Sequence, residues 1–203
     1  MIRNFEQIKE MLRSMPVKRR VAVAPAQDEH TLEAIGHALA DGLVEPILIG
    51  DEPKIREILE TLNIPAEGIR IIHEEDPSAS IQKAADMARE GEADCIMKGK
   101  TETGALMKIL VNRERGIRKN DTMSLLAFME SPYYHKVFAI TDVGLLTYPN
   151  KEQKKAAIAN AVEAFHTLGV ECPKVAVLAA VEKVNPKMKE TVEAAEIKAE
   201  GME

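Results

Sequence analysis

Tryptophan is absent from this 203-residue sequence, aromatic residues make up 3% of it, and cysteine occurs only twice. Two cysteines far apart, Cys95 and Cys172, cannot staple a small extracellular scaffold or complete a cysteine-rich metal site. Each stands beside an apolar, strand-like run, which predicts buried thiols in a reducing compartment. The longest fully apolar run, Val175–Val181, is too short to span a bilayer, so no membrane partner is expected. The N-terminus, MIRNFEQIKEML, lacks the apolar core of a secretory leader and reads as an amphipathic helix. Together these absences point to the cytoplasm. Nor is there an excess of positive charge: the net value of −6 argues against a general binder of nucleic acid or acidic membrane. No GxGxxG fingerprint is present, so a nicotinamide enzyme of the usual kind has little support. His30, His37, His73, His135 and His166 show no metal-like spacing, and no metal is expected.

What is present is an ordinary globular balance, 45% hydrophobic and 30% charged, in a chain long enough for one large or two small domains. A first helix runs from about Asn4 to Met15, with Phe5, Ile8, Leu12 and Met15 on one face before Pro16. Short, continuous apolar runs then recur at Val21–Ala24, Pro46–Ile49, Ile69–Ile72 and Cys95–Met97. Between them lie helix-periodic stretches opened by Asp28, Asp51 and Ser78. Continuous rather than alternating strands suit a parallel sheet covered on both faces, and single helices between them make βαβ units. The fold class is therefore α/β.

The rhythm changes after a helix over Glu102–Leu110 and a basic loop over Arg113–Lys119. Two strands, Ser124–Glu130 and Lys136–Thr141, are separated only by Ser131-Pro-Tyr-Tyr-His135. That connection has no room for a crossover helix and predicts an antiparallel hairpin. A helix over Lys151–Leu168, a strand over Lys174–Ala180 and a helix over Asn185–Glu200 complete the sequence. The switch from parallel to antiparallel pairing places a domain boundary near the hairpin, giving domains 1–122 and 123–203. The last helix has no following strand to receive its crossover, so the chain is expected to be part of a longer polypeptide.

Charge is concentrated in one window. Lys98, Lys100, Lys108, Arg113, Arg115, Arg118 and Lys119 face only Glu102 and Glu114, a net +5 within a chain of −6. Positive charge at the C-terminal end of a parallel strand is where open α/β folds hold anions, and the helix starting near Glu102 adds backbone donors and the positive end of its dipole. Lys98-Gly99-Lys100-Thr101-Glu102-Thr103-Gly104 thus reads as a phosphate-handling turn. It is not a P-loop, whose lysine closes the turn. A solvated basic helix face with a threonine cap remains the alternative at this point. Ser124, at the start of a strand, is either a satisfied structural serine or a site residue. Asp142, at a strand end, is a turn cap or a catalytic group, and Asn185 before Pro186 is a turn residue or a site residue. Tyr133 and Tyr134 in the hairpin face either a ligand or an oligomer interface.

The order of five motifs adds to this. MKG with Thr103, a basic loop ending in GIR, MS opening a strand, TDVGLLTYP, and PKVAVLAAVEKVNPKM together resemble the phosphate butyryltransferase branch of the phosphate acetyl/butyryltransferase family. The resemblance implies a two-domain isocitrate/isopropylmalate dehydrogenase-like fold, a homodimer, and an active site in the cleft between domains. It implies transfer of a short acyl group: acyl-CoA plus phosphate gives acyl phosphate plus coenzyme A, with coenzyme A as substrate and no tightly bound cofactor. By position, Thr103 matches a phosphate-site threonine and Lys108 a phosphate- or CoA-binding residue, while Lys98, Arg115 and Arg118 of the basic window are expected to supply further phosphate- or CoA-binding charge. Lys108 stands where relatives usually carry arginine. Ser124 matches a catalytic serine of a Ser-His or Ser-Ser pair, but its neighbour is Leu125, and Leu146 stands where relatives often carry asparagine. The DGPL-type segment, whose aspartate is the expected base for the CoA thiol, does not occur in this sequence. Against the acyltransferase expectation stand a non-catalytic module that keeps the CoA or phosphate pocket, and a dehydrogenase of the same broad fold.

Overall fold

The computed structural model describes residues 2–201 and divides into two compact units. One is Phe5–Lys119; the other joins the segment before Phe5 to everything from Asn120 onward. The first unit begins with α1 (Phe5–Arg13) and continues as β1 (Arg19–Ala24), α2 (Glu29–Ala40), β2 (Val44–Gly50), α3 (Glu52–Thr61), β3 (Arg70–His73), α4 (Pro77–Glu90), β4 (Cys95–Lys98) and α5 (Thr103–Leu110). Its four strands form a parallel sheet in the order β3-β2-β1-β4.

The helix starts follow from short polar side chains. Asp28, Asp51 and Asp76 each accept the third backbone N–H of the helix they precede, satisfying a donor that no helical carbonyl can reach. The cap of α4 is Asp76, two residues before the Ser78 that the sequence suggested, because Pro77 is well suited to the first helical position. At the other end Gly91 takes a left-handed conformation, φ 76°, that a side chain would resist.

Both faces of the sheet are covered. Val21, Val23 and Leu48 point to one side, where Leu32, Ile35, Ile55 and Leu59 of α2 and α3 enclose them. Ala22, Ala24, Ile47 and Ile49 point to the other, against Ile81, Ala84 and Met87 of α4 and Leu106 of α5. Fully burying each leucine or isoleucine contributes roughly 1.5–3 kcal/mol, which makes β1 and β2 the rigid centre of this unit. The edge strand β4 is tied to β1 by Arg20, whose guanidinium donates to both oxygens of Asp94 at 3.1 and 3.2 Å and to the Gly91 carbonyl at 2.7 Å.

The second unit holds β5 (Leu126–Met129), β6 (Phe138–Thr141), α6 (Lys151–Thr167) and α7 (Lys189–Glu200). β5 and β6 pair antiparallel from Leu126↔Thr141 to Met129↔Phe138, the hairpin expected from the short connection. Phe128 lies against Phe165 of α6 at 5.3 Å between ring centroids, seating the hairpin on that helix. Val137 donates to the Ile2 carbonyl, which ties the start of the chain to this unit. α6 opens with a reciprocal cap between Asn150 and Gln153. It runs antiparallel to α7 through Lys154–Glu193 at 2.6 Å, Lys151–Glu200 at 2.6 Å and Lys155–Glu200 at 2.8 Å. These bonds raise Lys151 above the usual lysine range and lower Glu200 to about 2.

Two expectations are overturned. Cys95 and Cys172 are exposed, not buried: β4 is an edge strand, and Cys172 lies in an irregular stretch. The expected strand over Lys174–Ala180 does not form. Apolar composition favours an extended chain, but a strand exists only where a partner edge supplies hydrogen bonds. None does so among the described residues, and Leu178 is left 83% exposed. The first helix is also shorter than expected and has no buried residue, so its apolar face is only partly covered. No helix among the described residues is long and apolar enough to cross a membrane.

Candidate functional site

In the first unit the chain crosses from β3 through α4 to β4 on the far side of β1. The loops leaving β1 and β4 therefore part company at their C-terminal ends, the position where open sheets receive ligands. The β1 loop carries Pro25, Ala26, Gln27 and Asp28; the β4 loop is Gly99–Glu102. They touch at their bases, where Gly99 packs so closely on Pro25 that a Cβ would collide with the Pro25 carbonyl. Lys98, at the end of β4, donates to the Thr101 carbonyl at 2.7 Å and so staples the turn from within, while two of its three N–H groups stay available. Asp28 accepts from the Thr31 hydroxyl at 2.6 Å and from its N–H at 3.0 Å. Those bonds hold its carboxyl below the ordinary value, with Lys100 and His30 adding a smaller electrostatic pull.

α5 starts differently from α2, α3 and α4. Glu102 occupies the cap position without a side-chain hydrogen bond to the helix. The backbone donors of Thr103 and Gly104 thus meet solvent at the positive end of the helix dipole. Nothing lies within 4 Å of where a Gly104 side chain would begin. Lys108 is one turn further along α5 on the same helix face. Lys100, Lys108 and Arg113 make no ion pair among the described residues. The uncapped donors of Thr103 and Gly104, with Lys100 on the turn and Lys108 one helical turn beyond, can hold a phosphoryl or similar anion.

Arg115 is placed otherwise. Its guanidinium pairs with Asp86 of α4 at 3.3 Å, while its carbonyl accepts from Gln82 and Arg89. The loop is fastened by its own backbone at Gly116 and Ile117, and a side chain at Gly116 would strike the Leu110 and Asn112 carbonyls. Arg118 is half-buried beside it. Lys98, Lys100 and Thr103 thus share one turn, Lys108 follows one helical turn later on α5, and Arg115 is directed to α4.

In the second unit, Ser124 lies two residues ahead of β5. Its Oγ accepts from Asn160 Nδ2 at 3.0 Å, and the same nitrogen donates to the Thr122 carbonyl. Asn120 completes the group by donating to Asn160 Oδ1. Asp142 is nearby in the fold but turned to the backbone. Oδ2 accepts from Leu125 N at 2.6 Å; Oδ1 accepts from the N–H groups of Gly144 at 2.8 Å, Leu145 at 2.6 Å and Leu146 at 3.1 Å. Burial pushes this carboxyl up, but the four N–H bonds outweigh it and hold the group below its ordinary value. An aspartate so occupied is a poor base at neutral pH. It also explains why β5 starts at Leu126 and not at Ser124: the Leu125 N–H is taken by a carboxylate and cannot enter the ladder. Thr141, next to Asp142, keeps a buried hydroxyl with no partner among the described residues. Asn185 accepts from Lys187 N in a turn ahead of α7. Tyr133 and Tyr134 sit at the hairpin connection, Tyr134 against His135 and Phe138.

Asn160 was not singled out by sequence reasoning. Its only signal is a polar residue beside the buried stripe Ala157, Ile158 and Ala161 of α6. No group of three or more metal-binding side chains occurs among the described residues.

Comparison with known proteins adds identity to this geometry. The chain is 36% identical over 195 residues to the phosphate butyryltransferase of Clostridium acetobutylicum, and 39% identical over 191 residues to the phosphate acetyltransferase of Thermotoga maritima. These alignments cover 96% and 94% of the chain but 64% of each relative, so the chain spans under two-thirds of their length. Among solved structures, a branched-chain phosphotransacylase from Enterococcus faecalis superposes with a TM-score of 0.76 at 28% identity, covering 90% of this chain and 63% of that one. The family model described as phosphate acetyl/butaryl transferase matches residues 4–82 and 78–200, and the chain belongs to that family.

Proposed function

We propose that the polypeptide carrying this chain moves a short acyl group between coenzyme A and inorganic phosphate: acyl-CoA plus phosphate gives acyl phosphate plus coenzyme A. The observation that carries this reading is the turn Lys98–Gly104, where an uncapped helix start, an exposed threonine and two lysines without an ion pair among the described residues gather at the switch point of a parallel sheet. Both substrates are polyanions, and the turn offers them fixed donors rather than a diffuse positive face.

In this reading Lys98, Lys100, Thr103 and Lys108 orient phosphate, or the phosphates of CoA. Arg118 adds charge, and Arg115 holds the loop in place through Asp86. Ser124 supplies a hydrogen bond to the oxygen that becomes negative when phosphate adds to the thioester carbonyl. Asp142 and Asn185 shape their loops. The complete protein takes the two-domain form of the isocitrate/isopropylmalate dehydrogenases, with domains divided as 1–122 and 123 onward. It works as a cytoplasmic homodimer without a tightly bound cofactor.

The test is direct. The intact gene product is incubated with butyryl-CoA and phosphate, and free thiol and acyl phosphate are measured together. Equal release of both is expected; neither product from acetyl-, butyryl- or branched acyl-CoA refutes the reading. A second reading, a non-catalytic module that keeps the pocket, is favoured by Leu125, which places an apolar, 47% exposed side chain next to Ser124. Calorimetric binding of CoA without turnover identifies that case.

A further inference from the structure

We propose that Asn160 is a positioning residue that commits the Ser124 hydroxyl to donate its hydrogen bond to a developing oxyanion. The inference rests on the acyl-transfer reading and goes beyond it by assigning the direction of one hydrogen bond and the residue that sets it.

The direction follows from atoms with no choice. The Thr122 carbonyl can only accept, so the Asn160 atom facing it at 3.2 Å is the amide nitrogen. Asn120, its own oxygen fixed by accepting from Thr122 N at 3.0 Å, donates its amide nitrogen to the opposite atom, Oδ1, also at 3.2 Å, which gives the same orientation independently. The nitrogen fixed in this way sends its second hydrogen to Ser124 Oγ at 3.0 Å. A hydroxyl that accepts from an amide keeps its own proton for another acceptor. Among the described residues Ser124 donates to none. Asp142, bonded to the next peptide, receives four N–H groups and no hydrogen bond from Ser124.

Two consequences separate this from a nucleophilic serine. Removing the Ser124 proton needs a base, and Asn160 presents a donor instead. Donating a hydrogen bond needs no base and breaks no bond; it requires only that the hydroxyl be aimed before charge appears. The aim is held from both sides, by Asn160 at the side chain and by Asp142 at the next peptide through Leu125 N. Asn160 itself touches no substrate in this scheme.

The test is a double-mutant cycle in the intact gene product, with butyryl-CoA and phosphate as substrates. Ser124→Ala is expected to lower kcat about tenfold or more, with KM for both substrates within about twofold. Asn160→Ala is expected to lower kcat about tenfold in the parent and less than about twofold in the Ser124→Ala background. Asn160→Asp turns the contact round, so that the serine donates to the new carboxylate, and should match Ser124→Ala. If that variant does not fold, the alanine cycle decides alone. A purely structural Asn160 would cost the same in both backgrounds, and an unchanged kcat or a loss confined to KM would likewise overturn the inference. A parent protein without turnover would remove the acyl-transfer reading and this inference with it; an active parent with additive losses would remove only the inference.

Discussion

Asp142→Asn should destabilise the second unit by about 2 kcal/mol near neutral pH, and the loss should vanish in acid. The carboxylate serves two sets of donors: Oδ1 receives three N–H groups from Gly144–Leu146, and Oδ2 receives one from Leu125. Asparagine has one carbonyl oxygen. Facing it to the three-donor side leaves an NH2 opposite the Leu125 N–H, so one charge-assisted bond of roughly 1.5–3 kcal/mol is lost and the remainder weaken. Asp142→Ala, which leaves all four donors to water, should cost more, about 3–5 kcal/mol. The pH dependence has a definite sign. The folded carboxyl titrates below its ordinary value of 3.8, so its contribution is complete above that value and is lost as pH falls through the folded pKa. Asparagine cannot titrate; the gap between parent and variant should therefore be constant from pH 8 to pH 5 and close in stronger acid. Urea unfolding followed by far-ultraviolet circular dichroism gives the size. Hydrogen exchange of peptides covering residues 124–146 gives the location. A variant within about 0.5 kcal/mol of the parent at pH 7, or a gap that persists after the carboxyl is protonated, would refute the reasoning.

Three further outcomes can be checked alongside it. Leu48→Ala, at a fully enclosed position in β2, should cost about 3–4 kcal/mol in equilibrium unfolding with an unchanged denaturant slope. Thr141→Val removes a buried hydroxyl without a partner while keeping its shape; the melting temperature should stay level or rise, reflecting up to about 1–2 kcal/mol, and a marked fall would show that the hydroxyl is bonded. The contribution of Glu200 to the α6–α7 contact should be complete above about pH 4.5 and decline steadily as pH falls toward about 2; exchange protection along α7 reports this directly, and protection unchanged across that range would contradict the ladder.

Much of the first unit was legible because its signals are local. Continuous apolar runs marked β1 to β4, and Asp28 and Asp51 marked helix starts that their side chains do cap. The antiparallel hairpin followed from a connection too short for anything else. Other features depend on contacts between residues distant in sequence. Val175–Val181 has the composition of a strand, but composition cannot supply a partner edge. Cys95 looked enclosed because its neighbours are apolar, whereas its exposure depends on β4 being an edge. In the candidate site, Lys98 and Thr103 were visible through their place at a strand end. Asn160 was hidden, since its partners Asn120, Thr122 and Ser124 lie more than thirty residues before it. Arg115 was read as a ligand from its charge, and only the position of α4 reveals Asp86 as its partner.

The unpaired stretch Val175–Val181 also sets terms for handling this chain. Seven apolar residues rich in valine, without proline or charge, meet the pattern of segments that stack into intermolecular β-structure. They are flanked by Lys174 on one side and by Glu182 and Lys183 on the other, charges placed as gatekeepers against such stacking. Replacing Lys174 and Lys183 with neutral residues should therefore lower the solubility limit of the chain. A lysine at Leu178, in the middle of the run, should raise it with little change in folding.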